Sequence, residues 1–146
     1  EEKHALDLIS LVESTCDEIL EMNHQIKFTS DINRLVLQGQ RVGLKRAFNN
    51  LLINAVKYGC EATVRISKND QALIVTIDDQ GTGLPKSELT KVFEPFYRYE
   101  RSRSRETGGT GLGLAIVKSI IEMHHGTIEL SNLSPGGLRV TVKFFK

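Results

Sequence analysis

Hydrophobic and polar residues follow two periods along the chain, and each period predicts one kind of secondary structure. Apolar residues recur at helical intervals in four segments, whereas β-branched residues dominate several shorter runs. The predicted helices cover residues 6–22, 42–58, 86–93 and 111–124. The predicted strands cover residues 25–29, 34–38, 62–68, 72–79, 126–132 and 138–145. The turn-forming stretches NDQ and SPGG join two pairs of these strands and predict hairpins.

This order of elements predicts an α+β fold. Hairpins imply mostly antiparallel pairing, so we expect a two-layer sandwich in which a mixed sheet is backed by three helices. The 146 residues suffice for a single domain over residues 1–146. The abrupt start suggests a piece cut from a longer protein, with a linker and the first helix in residues 1–22. Residues 94–110 are polar and rich in arginine, and they predict a long loop.

Composition gives no support for binding to nucleic acid or to a membrane. The formal net charge is +1, which is too small to direct the chain to a polyanion. No apolar run approaches the ~18 residues of a membrane span, and the sequence has no signal peptide, so we expect a soluble fragment. Cys16 and Cys60 lack metal-ligand spacing and predict reduced, buried thiols.

A glycine-rich stretch, TGGTGLG at residues 107–113, leads directly into the third long helix. A helix N-terminus preceded by glycines attracts anions, because unpaired N–H groups and the positive end of the helix dipole face outward. Gly109, Gly111 and Gly113 would allow close approach of a polyphosphate, although a flexible hinge gives the same composition. The chain has no Gly-Lys dipeptide and no G-x-G-x-x-G motif, which excludes two common phosphate-binding loops.

The segment NNLLINAVKYG, residues 49–59, places polar side chains on one face of the second long helix. On a helical wheel, Arg46, Asn50, Asn54 and Lys57 fall within an arc of roughly 80°. Two amide oxygens one turn apart, followed by an ammonium group, suit a hydrated Mg²⁺ and the phosphates around it. The alternative is a solvated polar face, for which asparagine is a poor choice within a helix.

The segment TIDDQGTG ends a predicted strand with a carboxylate and two glycines. A carboxylate held at this edge only accepts hydrogen bonds, so Asp79 would bind the exocyclic amine of adenine and repel the carbonyl oxygen of guanine. The alternative is an Asx-turn begun by Asp78 or Asp79.

In this order, the motifs resemble the catalytic ATP-binding domain of sensor histidine kinases, of the EnvZ-like class. NNLLINAVKYG is similar to the N box, DDQGTG to the G1 box, VFEPFYR to the F box and GTGLGLAIVK to the G2 box. The resemblance covers essentially the whole chain. It implies the Bergerat fold shared with gyrase and MutL, with Mg-ATP bound between the helices beneath a lid, residues 94–110.

The resemblance also implies roles for individual residues. Asn50 and Asn54 would bind Mg²⁺ and the phosphates, and Asp79 would accept from the adenine amine. The remaining residues expected to contact ATP are Lys57, Tyr58, Gly81, Gly83, Leu84, Phe93, Gly109, Thr110, Gly111, Leu112, Gly113 and Leu114. The residues expected to assist phosphoryl transfer are Asn50, Lys57, Arg98 and Arg103. For Phe93 and Phe96, core packing explains the residue type nearly as well.

The residue type at position 50 distinguishes a kinase from an ATPase. The hydrolysing relatives have a glutamate at this position, and an amide cannot take a proton from water at neutral pH, so we expect transfer to a positioned nucleophile. In the resembled family that nucleophile is a histidine in a motif such as SHELRTP, which is absent here. A stand-alone ATPase, a nucleotide-binding regulatory module and an anti-sigma-type serine kinase remain alternatives.

The resemblance finally implies partners. The fragment would bind ATP and Mg²⁺, phosphorylate a dimerisation domain of the same protein, and thereby supply a response regulator. We expect a monomer, because the dimerisation helices are absent. We also expect the cytoplasmic part of a sensor anchored in the inner membrane, with no membrane contact of its own.

Overall fold

The computed structural model describes residues 2–22, 24–97 and 112–145. Its strands are β1 (His4–Asp7), β2 (Gln25–Ser30), β3 (Val36–Gly39), β4 (Glu61–Lys68), β5 (Ala72–Asp79), β6 (Gly126–Asn132) and β7 (Leu138–Phe145). Its helices are α1 (Leu8–Leu20), α2 (Arg41–Gly59) and α3 (Leu112–Met123). Two 3-10 turns, Lys86–Glu88 and Lys91–Phe93, follow β5.

Five strands form one mixed sheet in the order β2-β4-β5-β7-β6. β2 runs parallel to β4, and the other neighbouring pairs are antiparallel. β1 and β3 form a separate antiparallel ribbon. The predicted α+β fold, with a mostly antiparallel sheet and three helices, is therefore confirmed for the described part of the chain.

The core lies between the helices and one face of the sheet. Side chains along β7 alternate between buried and more exposed positions, as expected for a sheet that is covered on one side. On α2, the side chains of Leu44, Phe48, Leu51 and Ala55 are buried. The Phe48 ring lies 6.4 Å from that of Phe144, centroid to centroid. No helix within the described residues is long and apolar enough to cross a membrane.

The first predicted helix is shorter than residues 6–22, because residues 6–7 belong to strand β1 and the helix ends at Leu20. Asp7 ends that strand and caps α1. Its Oδ1 accepts from the backbone N–H of Ile9 at 3.1 Å and of Leu35 at 3.0 Å. The helix start is therefore determined partly by a loop 28 residues away along the chain.

Two other predictions are wrong. Residues 86–93 form two 3-10 turns and no α-helix. There Glu88 is buried and accepts a hydrogen bond from the Tyr97 hydroxyl, which attaches the segment to a residue beyond it. Cys16 is buried as expected, but Cys60 is exposed because it follows the last residue of α2.

His124 joins the end of α3 to the start of α2. Its Nε2 accepts from the backbone N–H of Gln40 at 2.9 Å, and its Nδ1 lies 2.7 Å from the Ile120 carbonyl oxygen. An imidazole that accepts at Nε2 and donates from Nδ1 satisfies both contacts. The imidazole therefore fixes the position of the helix that carries the predicted asparagines.

Candidate functional site

Helix α2 carries the predicted polar face. Asn50, Asn54 and Tyr58 are partly buried, and Lys57 is exposed. At 1.5 Å rise per residue, Asn54 and Asn50 lie about 7.5 and 13.5 Å from Gly59 along the helix axis. Asn54 and Asn50 therefore lie at increasing distances from the end of α2 that contacts β5.

The C-terminal end of α2 packs directly against the end of β5. A Cβ on Gly59 would overlap the Asp79 side chain and lie 2.7 Å from the Gln80 nitrogen, so only glycine allows this approach. One on Gly81 would lie 2.6 Å from the Tyr58 carbonyl oxygen. The C-terminal end of α2 and the residues after Asp79 are thus in contact.

Asp79 is 6% exposed, and its two carboxylate oxygens differ. Oδ1 accepts from the backbone N–H of Gly81 at 2.9 Å and of Leu138 at 3.0 Å. No donor from the described residues is bonded to Oδ2. Two amides therefore fix the orientation of the carboxylate, while one oxygen remains an acceptor for a ligand.

The turn between β6 and β7 completes the surroundings of this carboxylate. Gly137 has a φ of +112°, and a Cβ there would overlap the Asp79 carbonyl oxygen. Asn132 holds both backbone groups of Leu84: its Oδ1 accepts from the N–H at 2.9 Å and its Nδ2 donates to the oxygen at 2.7 Å. The sequence predicted a hairpin turn here, but no part of the site.

The neighbouring carboxylate has a structural partner on the other face of the sheet. Asp78 accepts two hydrogen bonds from the Arg139 guanidinium, at 2.7 and 2.8 Å. Asp78 and Arg139 are also cross-strand partners in the β5–β7 pair. Of the two aspartates considered for an Asx-turn, Asp79 is the one whose Oδ1 accepts from the amide two residues later.

Phe93 lies in a different environment. Its ring packs under the Lys118 ammonium group, with Nζ 5.6 Å from the centroid. Both residues line a cavity of about 360 Å³ together with Leu89, Thr90, Ile128, Glu129 and Leu130. Among the described residues that line this cavity, Phe93 is the only predicted ATP contact. Phe93 also packs against the core, as the alternative interpretation expected, whereas Phe96 is 77% exposed and that interpretation is wrong for it.

The structure describes the glycine-rich stretch TGGTGLG only from Leu112, the first residue of α3. Gly113 and Leu114 are partly buried, and a Cβ on Gly113 would meet no described atom within 4 Å. Leu114 packs against the core. The predicted residues Arg98, Arg103, Gly109, Thr110 and Gly111 lie outside the described residues, as does the side chain of Leu112.

The donor set on α2 fits a hydrated Mg²⁺ better than a fully protein-bound metal. Within residues 2–22, 24–97 and 112–145, no three His, Cys, Asp or Glu side chains come together as metal ligands. Two amide oxygens leave most coordination positions to water and phosphate, as Mg²⁺ prefers.

This combination of fold and site defines the class of the protein. The chain belongs to the family described as histidine kinase-, DNA gyrase B- and HSP90-like ATPases, whose model matches residues 39–146. The chain is 36% identical over 107 residues to the sensor histidine kinase CpxA of Escherichia coli, covering 73% of this chain.

Solved structures agree with this assignment. The mycobacterial sensor histidine kinase MprB has a TM-score of 0.83 at 28% identity, with 98% of this chain and 97% of that chain covered. The histidine kinase domain of the E. coli osmosensor EnvZ has a TM-score of 0.76 at 25% identity, with 99% and 89% covered. The resemblance to catalytic domains of sensor histidine kinases, including EnvZ, is confirmed. The chain spans only 23% of CpxA and 32% of the E. coli kinase BaeS.

Proposed function

We propose that this chain binds Mg-ATP and supplies its γ-phosphoryl group to a histidine on a separate phosphoacceptor domain of the same protein. The observation that carries the proposal is the asymmetry of the Asp79 carboxylate. Oδ1 is occupied by two backbone amides, so the remaining acceptor, Oδ2, has a fixed direction. An acceptor of this kind binds the amine of adenine and disfavours the carbonyl of guanine.

The polar face of α2 extends from this adenine position toward the phosphates. Asn50 and Asn54 would provide amide oxygens to a hydrated Mg²⁺, and Lys57 would pair with phosphate oxygens. Mg²⁺ bound there would neutralise charge on the transferring group. The γ-phosphorus–oxygen bond to ADP breaks and a bond from phosphorus to the histidine nitrogen forms, with the imidazole proton released.

Asn50 supports transfer over hydrolysis. A glutamate at this position could accept a proton from an attacking water molecule, but the amide of Asn50 cannot at neutral pH. Arg98 and Arg103 belong to the proposal through the family resemblance alone. A response regulator is the expected final acceptor, by analogy with the sensor kinases that the chain resembles.

The first test is calorimetric titration of this chain with ATP and GTP, with Mg²⁺ and with excess EDTA. We expect ATP binding that depends on Mg²⁺ and is at least about tenfold tighter than GTP binding, a difference of about 1.4 kcal/mol. A folded chain that binds neither nucleotide would contradict the proposal.

The second test adds a helical phosphoacceptor domain and γ-labelled ATP. We expect an acid-labile, base-stable label on that domain and none on this chain. Steady phosphate release by the chain alone, without label transfer, would instead support the stand-alone ATPase.

A further inference from the structure

Asn132 occupies a key position beside the adenine-recognition loop, residues 80–84. It is the last residue of β6, and its side chain pairs with both backbone groups of Leu84, 48 residues earlier. A side-chain amide presents one donor and one acceptor, as a backbone peptide group does. Asn132 therefore continues strand-like pairing from the edge of the sheet onto this loop.

Asn132 is also coupled to Asp79 through β7. Asn132 and Leu138 are cross-strand partners in the β6–β7 pair. The backbone N–H of Leu138 donates to Oδ1 of Asp79, while the side chain of Asn132 holds Leu84. One cross-strand pair thus fixes both ends of the segment that begins with Asp79 and ends with Leu84.

We propose that Asn132 is a positioning residue for adenine recognition: by clamping Leu84, it holds the loop so that the Gly81 amide stays on Oδ1 of Asp79. This inference rests on the proposed function. Without the clamp, the loop keeps the close approach of Gly81 to the Tyr58 carbonyl oxygen and the core packing of the Leu84 side chain, but it loses both hydrogen bonds at the Leu84 backbone. The Gly81 amide then competes with water for Oδ1, and Oδ2 no longer has a single direction.

Asn132 is suited to a clean test because it is exposed, so truncation leaves no cavity in the core. The test variant is Asn132→Ala. The matched control is Asn69→Ala, since Oδ1 of Asn69 accepts from the amides of Gln71 at 2.8 Å and Ala72 at 2.9 Å. Asn69 lies just before the first residue of β5 and Asp79 is its last residue, so the length of the strand, about 23 Å, separates the two ends. Both variants therefore lose two hydrogen bonds to backbone groups, at opposite ends of one strand.

Calorimetric binding of Mg-ATP and Mg-GTP separates positioning from general destabilisation. We expect Asn132→Ala to bind ATP about tenfold more weakly, or about 1.4 kcal/mol, with a smaller ATP-to-GTP preference. We expect Asn69→Ala to match the wild type. A loss of fold stability that leaves the chain folded changes neither affinity nor preference, so these readouts report on the site.

Hydrogen exchange in the nucleotide-free chain provides a second readout. The amide of Leu84 should exchange faster in Asn132→Ala and at the wild-type rate in Asn69→Ala. If Asn132→Ala does not fold, Asn132→Asp serves instead. It keeps an acceptor for the Leu84 amide but cannot donate to its carbonyl at neutral pH, and should also weaken ATP binding.

The outcomes distinguish the two proposals. A wild-type chain that binds ATP and an Asn132→Ala chain with the same affinity and preference would overturn the role of Asn132 alone. A folded wild-type chain that binds no nucleotide would overturn both. Equal losses of ATP affinity in Asn132→Ala and Asn69→Ala would also overturn the role of Asn132, since they would indicate an effect unrelated to the loop.

Discussion

Replacing Asp79 by asparagine changes one atom at the proposed adenine acceptor. Oδ1 is fixed by the amides of Gly81 and Leu138, so the asparagine oxygen takes this place and its NH₂ group takes the place of Oδ2. The reverse orientation would direct the NH₂ group at two N–H donors and is disfavoured. The new NH₂ group therefore faces the adenine amine, donor against donor.

The size of the effect follows from the bond that is lost. A hydrogen bond to a charged group contributes about 1.5–3 kcal/mol, so Asp79→Asn should weaken ATP binding about 10- to 150-fold. Both bonds to Oδ1 remain, and the free energy of unfolding should fall by less than about 1 kcal/mol. GTP binding should weaken less or improve, because an NH₂ group can donate to the guanine carbonyl oxygen.

The assay is calorimetric titration of Asp79→Asn and a control variant, Asp78→Asn, with Mg-ATP and Mg-GTP, and thermal unfolding checks that both are folded. Asp78→Asn is the matched control, since Asp78 bonds to Arg139 on the other face of the sheet. It removes the same charge one residue away and should bind ATP as the wild type does. If Asp79→Asn binds ATP within twofold of the wild type, or if the two variants lose affinity equally, the adenine assignment of Asp79 is wrong.

Three further predictions concern other parts of the chain. Gly113→Ala should stabilise the fold by about 0.5–1 kcal/mol in thermal unfolding, because a Cβ there meets no described atom and alanine favours a helix. If phosphate approaches this backbone, the same variant should bind ATP more weakly in calorimetry. Unchanged affinity would remove Gly113 from the proposed site. Burial, helped by nearby acidic side chains, raises the pKa of the Cys16 thiol to about 12. A thiol reagent at pH 8 should therefore modify only Cys60 in the folded chain and both cysteines after denaturation. Two reactive thiols in the folded chain would contradict this. Burial tends to raise the pKa of Asp7, but hydrogen bonds from the Leu35 amide and nearby groups outweigh burial and lower the pKa. The extra stability of the wild type over Asp7→Asn should therefore be full above about pH 4 and disappear as the pH falls through the lowered folded-state pKa. Urea unfolding between pH 3 and 7 tests this, and a stability difference that does not depend on pH would refute it.

The sequence predicted the fold best where local pattern and tertiary packing agree. Helix α2 carries an apolar stripe and ends at a glycine, so its bounds were correct within one residue. Residues 86–93 also have helical spacing, but they form two 3-10 turns, and Glu88 there accepts a hydrogen bond from Tyr97, beyond the segment. Strand β1 was missed because its four residues do not alternate, and its pairing comes from β3.

The same division applies to the candidate site. Asp79 and the asparagines of α2 belong to short motifs whose chemistry is visible in the sequence. Asn132 lies 48 residues after Leu84, to which it bonds, and Leu138 lies 59 residues after Asp79. Leu138 contributes only its backbone N–H, which no residue type reveals. The SPGG turn could have suggested a close approach to another segment, but not which segment.

The position of β7 has a consequence for how the domain is made. β7 lies between β5 and β6 in the sheet, although the ribosome produces it after both. Until residues 138–145 emerge, β6 lacks its partner in the sheet and β5 keeps an open edge, which is a site for unwanted strand pairing. Asp79 likewise lacks the Leu138 amide until then. A growing chain therefore cannot complete the proposed adenine acceptor until β7, the middle strand of this part of the sheet, has been synthesised.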